Sequence, residues 1–141
     1  MTLVSRLATL LDAHTTPRTV AAHCDLPCGV YDPAQARIEA ESCLKIIEKV
    51  EGNDDPDFRS RALFIKEQRA DLVKHHLWVL WTDYFKPPHL EQFPELHDLF
   101  WRATKAAGAA GAKGSMDKAK AEELLELIDQ IAVIFQKTKA G

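Results

Sequence analysis

The softest ligands in this 141-residue chain sit together near its front, in the stretch VAAHCDLPCGVYDP: His23, Cys24 and Cys28, the latter two being two of only three cysteines. Pro27 and Gly29 make that stretch a turn, which can bring both sulfurs to one metal ion with the imidazole alongside. A closed structural zinc site needs four protein ligands, usually from two separated pairs, and here the second pair is missing. His75 and His76 could be conscripted, but neighbours on a helix point about 100° apart, and a histidine on an apolar stripe is more simply a packed core residue. A redox disulfide is a second option, although redox pairs use a shorter spacing at a helix start after a strand. Neither option explains why His23 directly precedes Cys24 and directly follows two alanines.

A cut between Ala22 and His23 would explain it. The new terminal amine, the Cys24 amide nitrogen, the Cys24 thiolate and the Cys28 thiolate would then form a planar set of two nitrogens and two sulfurs, with the His23 ring in reach of an axial position. Planar geometry with thiolates favours nickel(II) or copper(II). Deprotonated amide and thiolate are strong donors that also stabilise a higher oxidation state, so a redox-active nickel becomes accessible. Without the cut, the His23 nitrogen is a peptide amide and one neutral donor is lost.

The elements that must position this turn read as helices throughout. Asp32, Pro33 and Gln35 form a helix start, with Asp32 as N-cap, Pro33 in the first helical position and Gln35 reaching back. Ala36, Ala40, Cys43, Leu44 and Ile47 give that first helix an apolar face to about Val50. Asp55 and Pro56 repeat the device, and Phe58, Ala62, Ile65, Leu72, His76, Val79 and Leu80 carry a long second helix toward Phe85, its stripe interrupted at Arg69. Lys86-Pro87-Pro88 stops it and predicts a turn. Pro94 can start a third helix using Leu96, Leu99, Phe100, Ala103 and Ala107. After the glycine-rich GAAGAKGS, Ser115 caps a fourth, whose stripe runs through Met116, Ala119, Leu124, Leu127, Ile128, Ile131 and Phe135. No strand pattern appears. Four amphipathic helices, none able to bury its stripe alone, predict an all-α, antiparallel four-helix bundle over 33–138, with the hook at 23–31 as an N-terminal appendage.

Bulk properties narrow the partners. A hydrophobic content of 46% with 28% charged residues is that of a water-soluble single domain, and no apolar run is long enough to span a bilayer. The net charge of -3 gives no electrostatic case for nucleic acid or an anionic membrane. Residues 1–22 put Leu3, Leu7, Leu10 and Leu11 at helical spacing and then break at Thr15-Thr16-Pro17-Arg18. Arg6, Asp12 and His14 interrupt what a secretory leader needs as a continuous apolar stretch, so the cytoplasm, where thiols stay reduced, is the expected location. Cys43 stands alone in a helix and reads as a small buried apolar residue.

The stretch HCDLPCGVYDPAQARIEAES resembles the start of the mature chains of the nickel-containing superoxide dismutase family almost residue for residue, and IKEQRADLVKHHL and LWTDYFKPPH resemble its helical segments. The resemblance runs from His23 onward. It implies a four-helix bundle with an N-terminal nickel hook, assembled as a homohexamer, whose leader a protease removes; that would give residues 1–22 their purpose. By position, His23 would supply the amine and axial imidazole, Cys24 its amide and thiolate, and Cys28 the second thiolate, holding one nickel ion per subunit. Pro27 would hold the hook through a cis bond. Glu39 and Arg69 would orient the axial imidazole, which accounts for the interrupted stripe. Tyr31 would stand beside the open axial face, with Asp25 lining the approach, Tyr84 farther out and Lys86 attracting the superoxide anion. The region after Trp101 departs most from the family. Two other readings stand beside the dismutase: a nickel or copper carrier using the same hook without turnover, and a disulfide-closed turn on an interaction bundle.

Overall fold

At the start of the first helix the Asp32 carboxylate accepts the Ala34 amide at 2.9 Å, and Pro33 already has helical angles, φ -61 and ψ -17. Proline's fixed φ and missing donor suit that position. The structure, a computed structural model, describes residues 29–140, all of whose regular elements are helical. His23, Cys24, Asp25, Pro27 and Cys28 of the hook, and the leader, lie outside the described residues.

Helix α1 spans Ala34–Val50 and buries Ala36, Ala40, Cys43, Ile47 and Val50. The Arg59 guanidinium closes its end, donating to the carbonyls of Val50 at 3.2 Å and Asn53 at 2.9 Å. Asp55 then accepts the Asp57 amide at 3.0 Å and caps α2, Pro56–Val79. The short loop 51–55 turns α2 back along α1. Helix α2 runs on into a π-helical turn, Leu80–Tyr84, closed by the Phe85 amide donating to Leu80 O at 3.0 Å. The wider π turn shifts the register of the residues beyond it, and Lys86-Pro87-Pro88 ends it.

A simple turn is not what comes next. Pro87–Gln92 form a short helix, α3, with prolines in its first turn, where a missing amide costs nothing. Helix α4, Leu96–Ala106, buries Leu96, Leu99, Phe100 and Ala103. Helix α5, Lys118–Ala140, begins later than the serine signal predicts. Asp117 accepts the Ala119 amide at 2.9 Å, while Ser115 Oγ only braces the Asp117 amide at 3.1 Å, leaving Met116 outside the helix.

The bundle forms as α1 packs on α2 and α5, and α4 on α5 and α2. Leu77, Leu80, Phe100, Leu124, Ile128, Ile131 and Phe135 lie at its centre. The buried line of α2 differs from the expected one: it is Ala62, Lys66, Ala70, Val73 and Leu77, while Phe58 is largely exposed. No described helix is long and apolar enough to cross a membrane.

The glycine-rich loop between α4 and α5 is tight at Gly111. A Cβ there would stand 1.8 Å from the backbone oxygen of Ala106, the same oxygen that accepts the Ala112 amide at 2.7 Å. Gly111→Ala therefore forces the loop apart, at an expected cost of about 3 kcal/mol or roughly 10 °C in Tm. Thermal unfolding followed by circular dichroism checks it; an unchanged Tm would mean that the loop has another accessible path.

Candidate metal centre

Two helices supply the part-buried ion pair of the site. Glu39 on α1 is nearly enclosed, its side chain 16% exposed, and Arg69 faces it from α2. One terminal nitrogen of Arg69 donates to both carboxylate oxygens, at 3.0 and 3.3 Å. Arg69 Nε is buried and has no hydrogen-bond partner among the described residues. A guanidinium with a donor left over is shaped for more than one acceptor. The break at Arg69 in the second helix's apolar stripe is therefore a charged partner reaching across to α1.

Tyr31 opens α1 and is only 6% exposed, packed into the core and not on the surface. Its ring lies 5.5 Å from that of Tyr84, which the π turn delivers beneath it. Lys139, near the end of α5, donates to the Tyr31 carbonyl at 3.5 Å. Tyr84 O–H meets Thr138 Oγ1 at 2.8 Å, and Thr138 in turn donates to Phe135 O at 2.7 Å. A hydroxyl has one proton, so Tyr84 is the donor of its pair and its proton is committed to Thr138.

Lys86 is exposed at the start of α3. Its charge reaches His89, whose ring stacks on Tyr84 at 5.7 Å; partial burial first, and Lys86 second, hold His89 below the usual histidine range. Lys86 thus stands beside the tyrosines without bonding to them.

Sequence reasoning gave His76 no role beyond packing. Its side chain lines a small cleft with Tyr31, Asp32 and Gln35. Burial, then the neighbouring His75, push it below the usual histidine range, while Glu39 pulls the other way. Its helical spacing from Arg69, seven residues on, was the available signal. Among the described residues no cluster of histidine, cysteine and carboxylate could hold a metal by itself, so His75 and His76 do not make a second site.

Cys43 is fully buried, its thiol directed at the Lys66 carbonyl at 3.6 Å, and burial pushes its pKa up to about 11. It is expected to resist thiol reagents at pH 8 in the native, metal-free chain and to react only on unfolding. Thiol titration before and after denaturant reads this directly; native labelling of all three cysteines would contradict it.

The part-buried Glu39–Arg69 pair joins the first two helices, and the tilted rings of Tyr31 and Tyr84 meet where the chain enters α1; the comparisons cover this whole region. Residues 18–139 match the family model for nickel-containing superoxide dismutase. A nickel superoxide dismutase of Streptomyces coelicolor is 63% identical over 121 residues, covering 86% of this chain and 91% of that protein. One from Streptomyces seoulensis is 62% identical, covering 85% and 90%. The native structure of a nickel superoxide dismutase superposes with a TM-score of 0.80 at 61% identity, over 84% of this chain and all of that one. An apo structure gives 0.77 at 59% identity, over 80% of this chain and 100% of that one. With most of its length aligned at this identity, the chain belongs to the nickel-containing superoxide dismutase family.

Proposed function

We propose that this chain dismutes superoxide at a nickel ion held by His23, Cys24 and Cys28, after cleavage between Ala22 and His23. The observation that carries the reading is the Glu39–Arg69 pair, part-buried and with a buried guanidinium Nε to spare. A carrier that must release its ion has no need of so ordered a partner for a histidine that would hold it. The donor set also suits nickel, being an amine, an amide nitrogen, an imidazole and two thiolates.

Bound nickel supplies the electron acceptor and donor for the two half-reactions, in which two superoxide anions and two protons become oxygen and hydrogen peroxide. The protein's own residues do the rest. The Glu39 carboxylate orients the His23 imidazole and is itself fixed by Arg69, so the ring's direction is set by packed helices and not by the hook alone. Tyr31, itself only 6% exposed, would stand beside the nickel site as a water-excluding ring. Tyr84 supports it from below, its phenolic proton held by Thr138 Oγ1 and so not readily given up. Asp25 lines the approach, and Lys86 offsets the negative charge of the chain where an anion must arrive.

The same reading has a protease remove residues 1–22, in a protein that works in the reducing cytoplasm. It also assembles the chain as a homohexamer, supported by exposed large side chains: Phe64 at 56%, Trp78 at 51% and Trp101 at 58%.

The test compares two nickel-reconstituted proteins, one beginning at His23 and one still carrying residues 1–22. Superoxide dismutation by the shorter chain alone is the expected result. Equal activity in both would remove the role of the cut, and inactivity of both with nickel bound would favour the carrier.

A further inference from the structure

Lys66 is the one charged side chain of the described core, 0% exposed, and it stands in the apolar line of α2 between Ala62 and Ala70. A lysine at such a position pays heavily in lost hydration unless its ammonium is fully met. It is met one to one. The group has three protons and no acceptor, and it finds three oxygens: the Ala112 carbonyl at 2.6 Å, the Ser115 carbonyl, and Glu67 Oε1 at 2.6 Å.

The three oxygens are themselves prepared. Glu67 also accepts the Gly114 amide at 2.9 Å. Partial burial works against its charge, but Lys66 and that amide hold it below the usual carboxylate range. The Ala112 and Ser115 carbonyls face one point because the chain turns between them through Gly114, at φ 82, a conformation glycine adopts without strain. Two carbonyls and one carboxylate are too few for a calcium-like ion, which takes six or more oxygens. Three acceptors converging on one nitrogen, with the lysine's alkyl stem buried in the apolar line of α2, fit a primary alkylammonium.

We propose that the loop carbonyls of Ala112 and Ser115, with Glu67, form a binding site for a primary alkylammonium group, filled in the native chain by its own Lys66. The site fastens the glycine-rich loop to the middle of α2. It takes a free alkylammonium ion when the lysine side chain is cut away. Nothing in it depends on the metal, so it is tested on the full metal-free chain.

Lys66→Ala empties both the space of the buried stem and the oxygen site and is expected to lower Tm by about 10 °C. n-Butylammonium should recover at least half of that loss, saturably, whereas n-butanol and tetramethylammonium, which lack the three protons, should not. Equal recovery with n-butanol, or none with n-butylammonium, would overturn the proposal. Should Lys66→Ala fail to fold, Lys66→Met keeps the stem and removes only the ammonium. Amide hydrogen exchange at Gly114 should then be at least about tenfold faster than in the native chain, with the α5 core unchanged. Native protection at Gly114 in Lys66→Met would equally overturn it.

Discussion

Cys24→Ser and Cys28→Ser each abolish superoxide dismutation, with rates expected to fall on the order of 1,000-fold, equivalent to about 4 kcal/mol of lost transition-state stabilisation. A serine hydroxyl stays protonated at neutral pH and is a hard oxygen donor. It replaces neither the charge nor the softness of a thiolate. Nickel binding should weaken together with activity, which metal analysis after dialysis reads. The bundle should not change, because its core is built from Leu77, Leu80, Leu124, Ile128 and Phe135, all remote in sequence from the hook. Far-UV circular dichroism and Tm of the metal-free variants should match the native chain. Native activity in either variant would sink the hook, and loss of helicity would make its effect on activity uninterpretable as metal chemistry.

Breaking the Glu39–Arg69 pair should have the next largest effect. In Arg69→Met the Glu39 carboxylate, its side chain 16% exposed, loses the donor that fixes it, and the His23 imidazole loses its guide. Removing such an outer partner typically costs about 10- to 100-fold in metal affinity or activity. It should also cost stability, about 2 kcal/mol for a charge-assisted hydrogen bond whose acceptor is left largely buried. The two effects separate by variant. Glu39→Gln keeps a hydrogen-bond acceptor for Arg69 and should lose activity with a smaller loss of Tm. Arg69→Lys should recover part of the stability but little of the orientation, since an ammonium lacks the planar fork. Full activity in Arg69→Met with nickel bound would show that the imidazole is oriented by the hook alone.

Much of this was legible in the residues themselves. Asp32-Pro33 and Asp55-Pro56 announce helix starts; the second stands as read, while at the first Pro33 itself takes the cap position, Asp32 accepts the Ala34 amide and Gln35 makes no capping bond. The interruption at Arg69 was legible as a break in the stripe, but its meaning came from the family resemblance, which paired it with Glu39; the two are hydrogen-bonded in the structure. The line of α2 was harder. A hydrophobic pattern skips lysine, so the stripe was drawn through Phe58 and Ile65, whereas packing follows Ala62, Lys66, Ala70, Val73 and Leu77. Two carbonyls of a loop more than 40 residues away, together with neighbouring Glu67, make Lys66 tolerable there, and periodicity carries no information about them. The helix after Lys86 was missed for a local reason: two prolines end one helix and, free of any amide to satisfy, begin the next. The π turn that brings Tyr84 beneath Tyr31 has no sequence signature of its own.

The closing of Tyr31 and Tyr84 by the end of α5 has a consequence for the order of events in the cell. Lys139 holds the Tyr31 carbonyl and Thr138 holds the Tyr84 hydroxyl, so the Tyr31–Tyr84 platform is finished by residues the ribosome adds more than 100 positions after Tyr31. While the chain is still growing, the N-terminal ligands emerge first and have nothing to fold against. The platform is therefore a post-translational object: anything that binds against these two tyrosines meets a chain already synthesised through α5.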